Sequence, residues 1–314
     1  MPERLQVLLQ YLLPKLALTR FAGLVAGWRG GAVTTAIIRR FVARYRVNMA
    51  EAAEPDISAY SSFNDFFSRA LRPGARPLAS ADLLCPVDGA ISQVGAIEGA
   101  LMVQAKGHQF STTALLGGDA ALAAPFAGGS FANLYLSPRD YHRIHMPCAG
   151  TLRRMLHVPG ALFSVNPVTA RGVPGLFARN ERLVCLFDDA RGRPFVLVLV
   201  GATIVGSMAT VWHGLVNPPR PGVVRDWHYG GAGQPPAPQL AQGAEMGRFL
   251  LGSTVVMLFP SGGAGRLAFN PAWAPGSAVR LGEMMGEMMG EMMGDVMAEV
   301  TGEVVARPVT PPAG

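Results

Sequence analysis

Two histidines three residues apart, in Tyr141-His142-Arg143-Ile144-His145-Met146-Pro147, are the first chemical signal among the six histidines of this 314-residue chain. A zinc site needs three or four ligands, and no Glu or Cys set accompanies the pair, so it does not read as a metal centre. An imidazole can instead move protons near neutral pH, as base or as acid. A histidine base needs a nucleophile and an orienting carboxylate. Asp88, in the turn-like Pro86-Val87-Asp88-Gly89, offers the carboxylate, and Ser253, in Leu251-Gly252-Ser253-Thr254, offers the hydroxyl. Each segment alone is a common turn sequence. Gly-Ser-Thr does not match the G-x-S-x-G elbow, so an ordinary serine hydrolase is not indicated.

The elements that must hold these residues are mostly strands. From about residue 83 the chain runs in short β-branched or alternating segments separated by Gly and Pro: Ala90 to Val94, Phe131 to Leu136, Leu183 to Phe187, Phe195 to Val205 and Thr254 to Phe259. No βαβ rhythm, G-x-G-x-x-G or P-loop is present, which disfavours a doubly wound nucleotide-binding fold. The expected class is α+β, with a predominantly antiparallel β core, short helices and an N-terminal basic amphipathic helical region. Leu5, Leu9, Leu12 and Leu16 recur at helical spacing, and Pro14 should divide that helix. Ser62 can cap a short helix in which Phe63, Phe66 and Phe67 share a face.

Composition narrows the class further. With 50% hydrophobic and 15% charged residues the chain can bury a large core, which rules out disorder. Pro194 to Trp212 contains no charged residue, yet it is rich in Val, Ile and Thr and is interrupted by Gly201 and Gly206. That pattern suits two consecutive buried strands better than a membrane-spanning helix. Eight basic side chains (Arg4, Lys15, Arg20, Arg29, Arg39, Arg40, Arg44 and Arg46) against Glu3 alone fill the first 50 residues, and they account for the whole-chain net charge of +6. An apolar stripe flanked by Lys and Arg fits a helix lying in the interface of an anionic membrane. The same basic residues lack the aromatic and polar neighbours that nucleic-acid binding requires. Gln6 and Gln10 break the apolar run, and no A-x-A site follows, which argues against a secretory signal.

Three widely spaced cysteines, Cys85, Cys148 and Cys185, suggest no disulfide framework and a reduced, cytoplasmic setting. Gly231 to Pro238 reads as a surface loop. The repeat Gly282-Glu-Met-Met-Gly-Glu-Met-Met-Gly-Glu-Met-Met-Gly294 reads as a low-complexity, flexible tail rather than a copper site, because no His or Cys accompanies the methionines.

Taken in series, several motifs resemble the phosphatidylserine decarboxylases of the bacterial type. The matching stretches are Phe66-Phe67-Ser68-Arg69-Ala70-Leu71-Arg72-Pro73-Gly74-Ala75-Arg76-Pro77, Pro86 to Gly89, Tyr141 to Pro147, Leu162-Phe163-Ser164-Val165-Asn166, Leu176 to Arg182, Gly243-Ala244-Glu245-Met246-Gly247 and Leu251 to Thr254. They occur in the right order from about Ser62 to Phe259. Departures from the pattern lie in the Met-rich tail and the loop after Tyr229.

The resemblance implies a pyruvoyl-dependent, self-processing enzyme in which Asp88, His145 and Ser253 form a charge-relay triad acting on the protein's own backbone. His145, oriented by Asp88, would take the Ser253 proton, and the serine oxygen would attack the Gly252 carbonyl. Cleavage between Gly252 and Ser253 would convert Ser253 to a pyruvoyl group, which forms a Schiff base with the substrate amine and serves as an electron sink. His142 is implied as the proton donor in decarboxylation, with a structural hydrogen bond beside the site as the alternative, and Ser164 and Asn166 as lining the headgroup site, with a structural turn as the equal reading. Arg179 and Arg182 are candidate contacts for phosphate or carboxylate, with a salt bridge to Glu181 or other acids as the default reading. The expected organisation is a membrane-association region over 1–50, a catalytic core over 51–252 and a small pyruvoyl-bearing chain over 253–314 that stays bound to the large one. The implied substrate is phosphatidylserine in an anionic membrane, met at the cytoplasmic face of the cell membrane by a peripheral enzyme. A pyruvoyl-dependent decarboxylase of a soluble amino acid and a non-catalytic lipid-binding protein are the competing readings.

Overall fold

The computed structural model describes residues 2–204, 207–251, 254–262 and 266–289. Strand Thr254–Phe259, every residue of it buried, lies between strands Pro194–Val200 and Ser130–Tyr135 in a nine-stranded sheet, antiparallel throughout. Leu183, Leu197, Val255 and Met257 face one apolar cluster, and Val184, Val198, Val256 and Leu258 face another. Burial on both faces explains why these strands are continuous apolar runs rather than alternating ones. The charge-free stretch resolves as anticipated: strand Pro194–Val200, then strand Met208–Thr210 in a second sheet. The first strand ends at Val200, short of the expected Val205, because residues 201–204 turn away.

That second sheet has the order Gly214–Asn217, Met208–Thr210, Glu245–Phe249, Arg143–His145, and so carries the histidine motif on its edge. A third sheet, made by Leu83–Leu84, Met284–Met289 and Arg266–Phe269, corrects one expectation. Residues 284–289 of the Met-rich repeat form its central strand rather than a flexible tail, and Met285 is fully buried in the main core. Neighbours on both sides supply the pairing that local propensity lacks. A Cβ on Gly286 would approach the Ala268 carbonyl oxygen to 2.5 Å, so the small residue permits the close strand contact. The remaining repeats lie outside the described residues.

The N-terminal region forms helices α1 (Glu3–Leu12), α2 (Lys15–Gly27) and α3 (Ala32–Tyr45), divided at Pro14 as its missing N–H requires. The leucine stripe is not core: Leu5, Leu9, Leu12 and Leu16 are exposed, with Phe21, Leu24 and Trp28 beside them. Among the described residues no single helix is long and apolar enough to cross a membrane, and α2 and α3 bend by 114° at their junction. Hydrogen bonds tie α1 and α2 to the body. The Gln10 side chain accepts from the Ser164 N–H at 2.9 Å, and Thr19 Oγ1 accepts from the Ile204 N–H at 3.0 Å. Ser62 caps the Phe63–Phe67 helix, whose rings pack around Phe41 of α3. The loop over 231–236 is exposed, in line with its composition.

Met285→Ala tests the importance of the third sheet. Truncating this fully buried side chain should lower unfolding stability by about 2–5 kcal/mol in chemical denaturation, whereas a flexible tail would give no change.

Candidate active site

Asp88 ends the Pro86–Gly89 turn at the entrance to strand Gly89–Ala96. Gly89 is required there, since a Cβ would stand 2.3 Å from the Tyr135 carbonyl oxygen. The Asp88 carboxylate is gripped by Arg76, with Nε at 2.9 Å and Nη2 at 2.5 Å, and it also accepts the Leu281 N–H at 2.9 Å. Arg76 bridges on to Glu51 at 2.7 Å. The Asp88 hydrogen bond and then the Glu51 bond raise the Arg76 guanidinium pKa against the effect of burial, while Arg76 lowers that of Glu51. Asp88, Arg76 and Tyr141 line one cavity of about 370 Å³, together with Arg69, Arg139 and Arg280.

His145 sits beside this turn, its backbone N–H donating to the Pro86 carbonyl at 2.9 Å. Its ring Nδ1 lies 2.7 Å from the Gly243 carbonyl, and Nε2 lies 3.0 Å from the Tyr141 hydroxyl. Only a donor can meet a carbonyl, so those partners assign the proton to Nδ1 and leave Nε2 as the acceptor. Burial pushes the His145 pKa down, while the Gly243 bond and the nearby Glu245 and Asp88 charges oppose the shift. The result is a neutral imidazole with a basic Nε2. The expected hydrogen bond from Asp88 to His145 is absent, because a two-pronged guanidinium holds the carboxylate and a backbone carbonyl takes Nδ1. Asp88 acts on His145 through its charge alone.

The Gly243 carbonyl is itself placed by two motifs far apart in sequence. Strand Glu245–Phe249 pairs with Arg143–His145, Gly243 N–H donates to the Met146 carbonyl, and Met146 N–H donates to the Ala244 carbonyl. Gly243 has φ +75°, and a Cβ there would meet Leu78 at 2.5 Å. Glu245 closes the unit by pairing with Arg143 at 2.8 Å and Arg248 at 3.0 Å.

His142 is fully buried, its ring tilted 40° against that of Phe67 with centroids 4.1 Å apart. Its Nδ1 donates to the Asp140 carbonyl at 2.8 Å, and Nε2 has no partner. Burial pushes its pKa down to about 3, despite the Asp140 bond, so the ring is neutral at ordinary pH. Phe67 belongs to the apolar cluster that also packs Leu251.

Gly252 and Ser253 lie outside the described residues. Their flanks are firmly held: Phe249 pairs with Met208, and Thr254 pairs with Val200 and Tyr135. The Thr254 hydroxyl and the Asn133 side-chain amide are buried without partners on the strands that begin or border this point.

The other expected contacts divide. Asn166 Oδ1 caps the Pro167–Gly172 helix through the Thr169 N–H at 2.9 Å, a structural duty. Ser164 anchors α1 through its backbone N–H. Arg182 is withdrawn from anion binding because it is buried and donates to the carbonyls of Leu115, Asn180 and Ala114. Arg179 lies over the rings of Phe163 and Tyr11. Glu181 pairs with neither; its partners are His157 and Arg220, both at 2.9 Å. Arg76, Tyr141 and Gly243 stood within recognisable motifs, but a role for each required knowing which atoms meet. Arg220 and His157 carried no signal in one dimension.

A family model described as phosphatidylserine decarboxylase matches residues 63–287, and a second, described as PSD, matches residues 5–46. Curated relatives named phosphatidylserine decarboxylase proenzyme are 71% identical in Polaromonas naphthalenivorans, over 90% of this chain and 96% of theirs, and 72% identical in Methylibium petroleiphilum, over 90% and 97%. A third, from Variovorax paradoxus, is 72% identical over 286 residues, again 90% of this chain and 97% of its own. With the motif series, the family model and these relatives in agreement, the chain belongs to the phosphatidylserine decarboxylase family.

Proposed function

We propose that this protein decarboxylates phosphatidylserine to phosphatidylethanolamine and carbon dioxide, after cleaving itself between Gly252 and Ser253 and converting Ser253 to a pyruvoyl group. The observation that carries the reading is identity above 70% to proteins named as proenzymes of this decarboxylase over nine-tenths of the chain. The site geometry supports it.

In the cleavage step His145 Nε2 exchanges the Tyr141 hydroxyl for that of Ser253 and takes its proton. The serine oxygen attacks the Gly252 carbonyl carbon, the peptide C–N bond breaks as His145 returns the proton to the freed Ser253 nitrogen, and an ester replaces the amide. The Gly243 carbonyl holds the Nδ1 proton and so keeps His145 in the productive tautomer, the duty usually given to a carboxylate. Asp88, fixed by Arg76, favours the imidazolium electrostatically as the proton arrives. Loss of the Cα proton at position 253 expels the Gly252 carboxylate from Cβ, and the dehydroalanine left behind hydrolyses with release of ammonia to give the pyruvoyl end. The two chains remain joined by the sheet pairing of Thr254–Phe259.

The pyruvoyl group supplies an electrophilic carbonyl that takes up the substrate amine and accepts the electron pair left behind by carbon dioxide. His142, with Nε2 unpartnered, is the proton donor to the carbon that has lost its carboxylate, the proton having been released by the substrate ammonium on condensation. The exposed leucines and aromatics of α1 and α2, among Arg4, Lys15, Arg20 and Arg29, dock the enzyme peripherally on the anionic cytoplasmic face of the cell membrane.

Ser253→Ala should yield one uncleaved chain on denaturing electrophoresis and no carbon dioxide from phosphatidylserine vesicles; two chains or retained activity would overturn the assignment. Wild-type release from phosphatidylserine but not from free serine separates the lipid reading from a soluble amino-acid decarboxylase. His142→Ala should be processed into two chains yet lose about 100-fold or more in decarboxylation rate. Self-cleavage needs neutral His145, so its rate should rise with pH and level off with a midpoint below 6.5, the ordinary imidazole value, because burial lowers the pKa. A midpoint at or above 6.5 would exclude the buried imidazole as the base.

A further inference from the structure

A cavity of about 510 Å³ separates α2 from the segment that leads to the proposed cleavage point. Leu24 of α2, Leu215 and Leu251 form its apolar walls, and Arg20 and Arg220 bring positive charge. One wall thus belongs to the helix that exposes Phe21 and Val25, and the other ends two residues before Ser253. Its volume suits a polar headgroup with the first part of its apolar tail.

Arg220 is built into this wall by a buried relay. Its Nε donates to Glu181 Oε2 at 2.9 Å, and Glu181 Oε1 meets His157 Nε2 at 2.9 Å. Glu181 is 2% exposed and His157 is fully buried. Burial would raise the Glu181 pKa, but His157 and Arg220 together hold it down, so the carboxylate stays charged. Burying such an acid is costly, and a well-packed apolar pair would serve stability as well. What the arrangement does achieve is to fix the guanidinium by its Nε edge. Arg220 Nη2 is left buried with no hydrogen-bond partner. An unused donor on a buried cation is a strong demand for an acceptor.

We infer that Arg220, positioned by Glu181 and His157, binds the phosphodiester of the phospholipid substrate in the cavity beside α2. The inference rests on the decarboxylase reading above and adds to it a substrate-binding residue and the group it recognises. The substrate offers two anions, a phosphodiester and a carboxylate. The carboxylate leaves as neutral carbon dioxide, so a cation holding it would stabilise the starting state more than the transition state. The phosphodiester keeps its charge throughout, and a grip on it contributes binding without opposing the reaction. Guanidinium forks suit phosphate oxygens, and Arg20 across the cavity adds charge of the same sign.

The test compares Arg220→Gln and Arg220→Lys with the wild-type, each purified full length and checked first for processing. In mixed micelles of phosphatidylserine, Arg220→Gln should raise KM about 10- to 100-fold with a much smaller change in kcat, as expected for loss of a charge-assisted hydrogen bond. Arg220→Lys, which keeps the charge but not the fork, should fall between. Inhibition by phosphatidylethanolamine, which retains the phosphodiester and lacks the carboxylate, should weaken by the same factor. An unchanged KM overturns the proposal. So does a raised KM with unaltered product inhibition, which would assign Arg220 to the carboxylate. Failure of both variants to process also overturns it, since the guanidinium would then serve the fold. A wild-type protein that releases no carbon dioxide from phosphatidylserine would instead refute the underlying activity.

Discussion

The pairing of strand Thr254–Phe259 with Ser130–Tyr135 on one side and Pro194–Val200 on the other is the constraint on which the rest of the molecule depends. Both faces of the strand are buried, so its register cannot slip without driving apolar side chains to the wrong cluster. Thr254, the first residue after the proposed cleavage point, is thereby held at the end of a fully buried strand. Under the proposed cleavage, the same pairing keeps the smaller chain in place, because the ladder and the core do not pass through the broken bond.

Around that fixed point the polar groups compete for partners. Asp88 has the charge and the neighbourhood to serve His145, yet Arg76 and the Leu281 N–H satisfy it first. A bidentate guanidinium is a stronger partner than a neutral imidazole. His145 accordingly takes its orientation from the Gly243 carbonyl, which the reciprocal bonds between Met146 and the 243–244 turn hold in place. Division of labour follows: backbone geometry sets the tautomer, and the acid supplies a field. His142 lies at the other extreme, with burial that suppresses its charge and leaves one lone pair unused.

The N-terminal helices connect this chemistry to a surface. Their leucines point outward, while Gln10 and Thr19 reach inward to Ser164, Thr203 and Ile204. The inward contacts place α2 over the cavity that contains Arg220. A helix that touches both a bilayer and the site's wall would shorten the distance a lipid headgroup must travel from one to the other, which is the economy expected of an enzyme whose substrate never leaves the membrane.

Local chemistry by itself determined much of this protein. β-branched runs between Gly and Pro marked the strands, Ser62 marked a cap, Pro14 marked a helix break, and the motif series marked the family, because each depends on neighbours a few residues apart. Asp88, His142 and His145 were legible as residue types that move protons. Where a short period misled, in the Gly-Glu-Met-Met repeat, the cause was long-range: residues 284–289 become a strand only because Leu83–Leu84 and Arg266–Phe269 flank them. Only the tertiary structure decided that Arg76 holds Asp88, that Gly243 holds His145, and that Glu181 turns to Arg220 and His157 rather than to its neighbours in sequence. Those choices are made between atoms brought together from distant parts of the chain, where the strongest available partner wins.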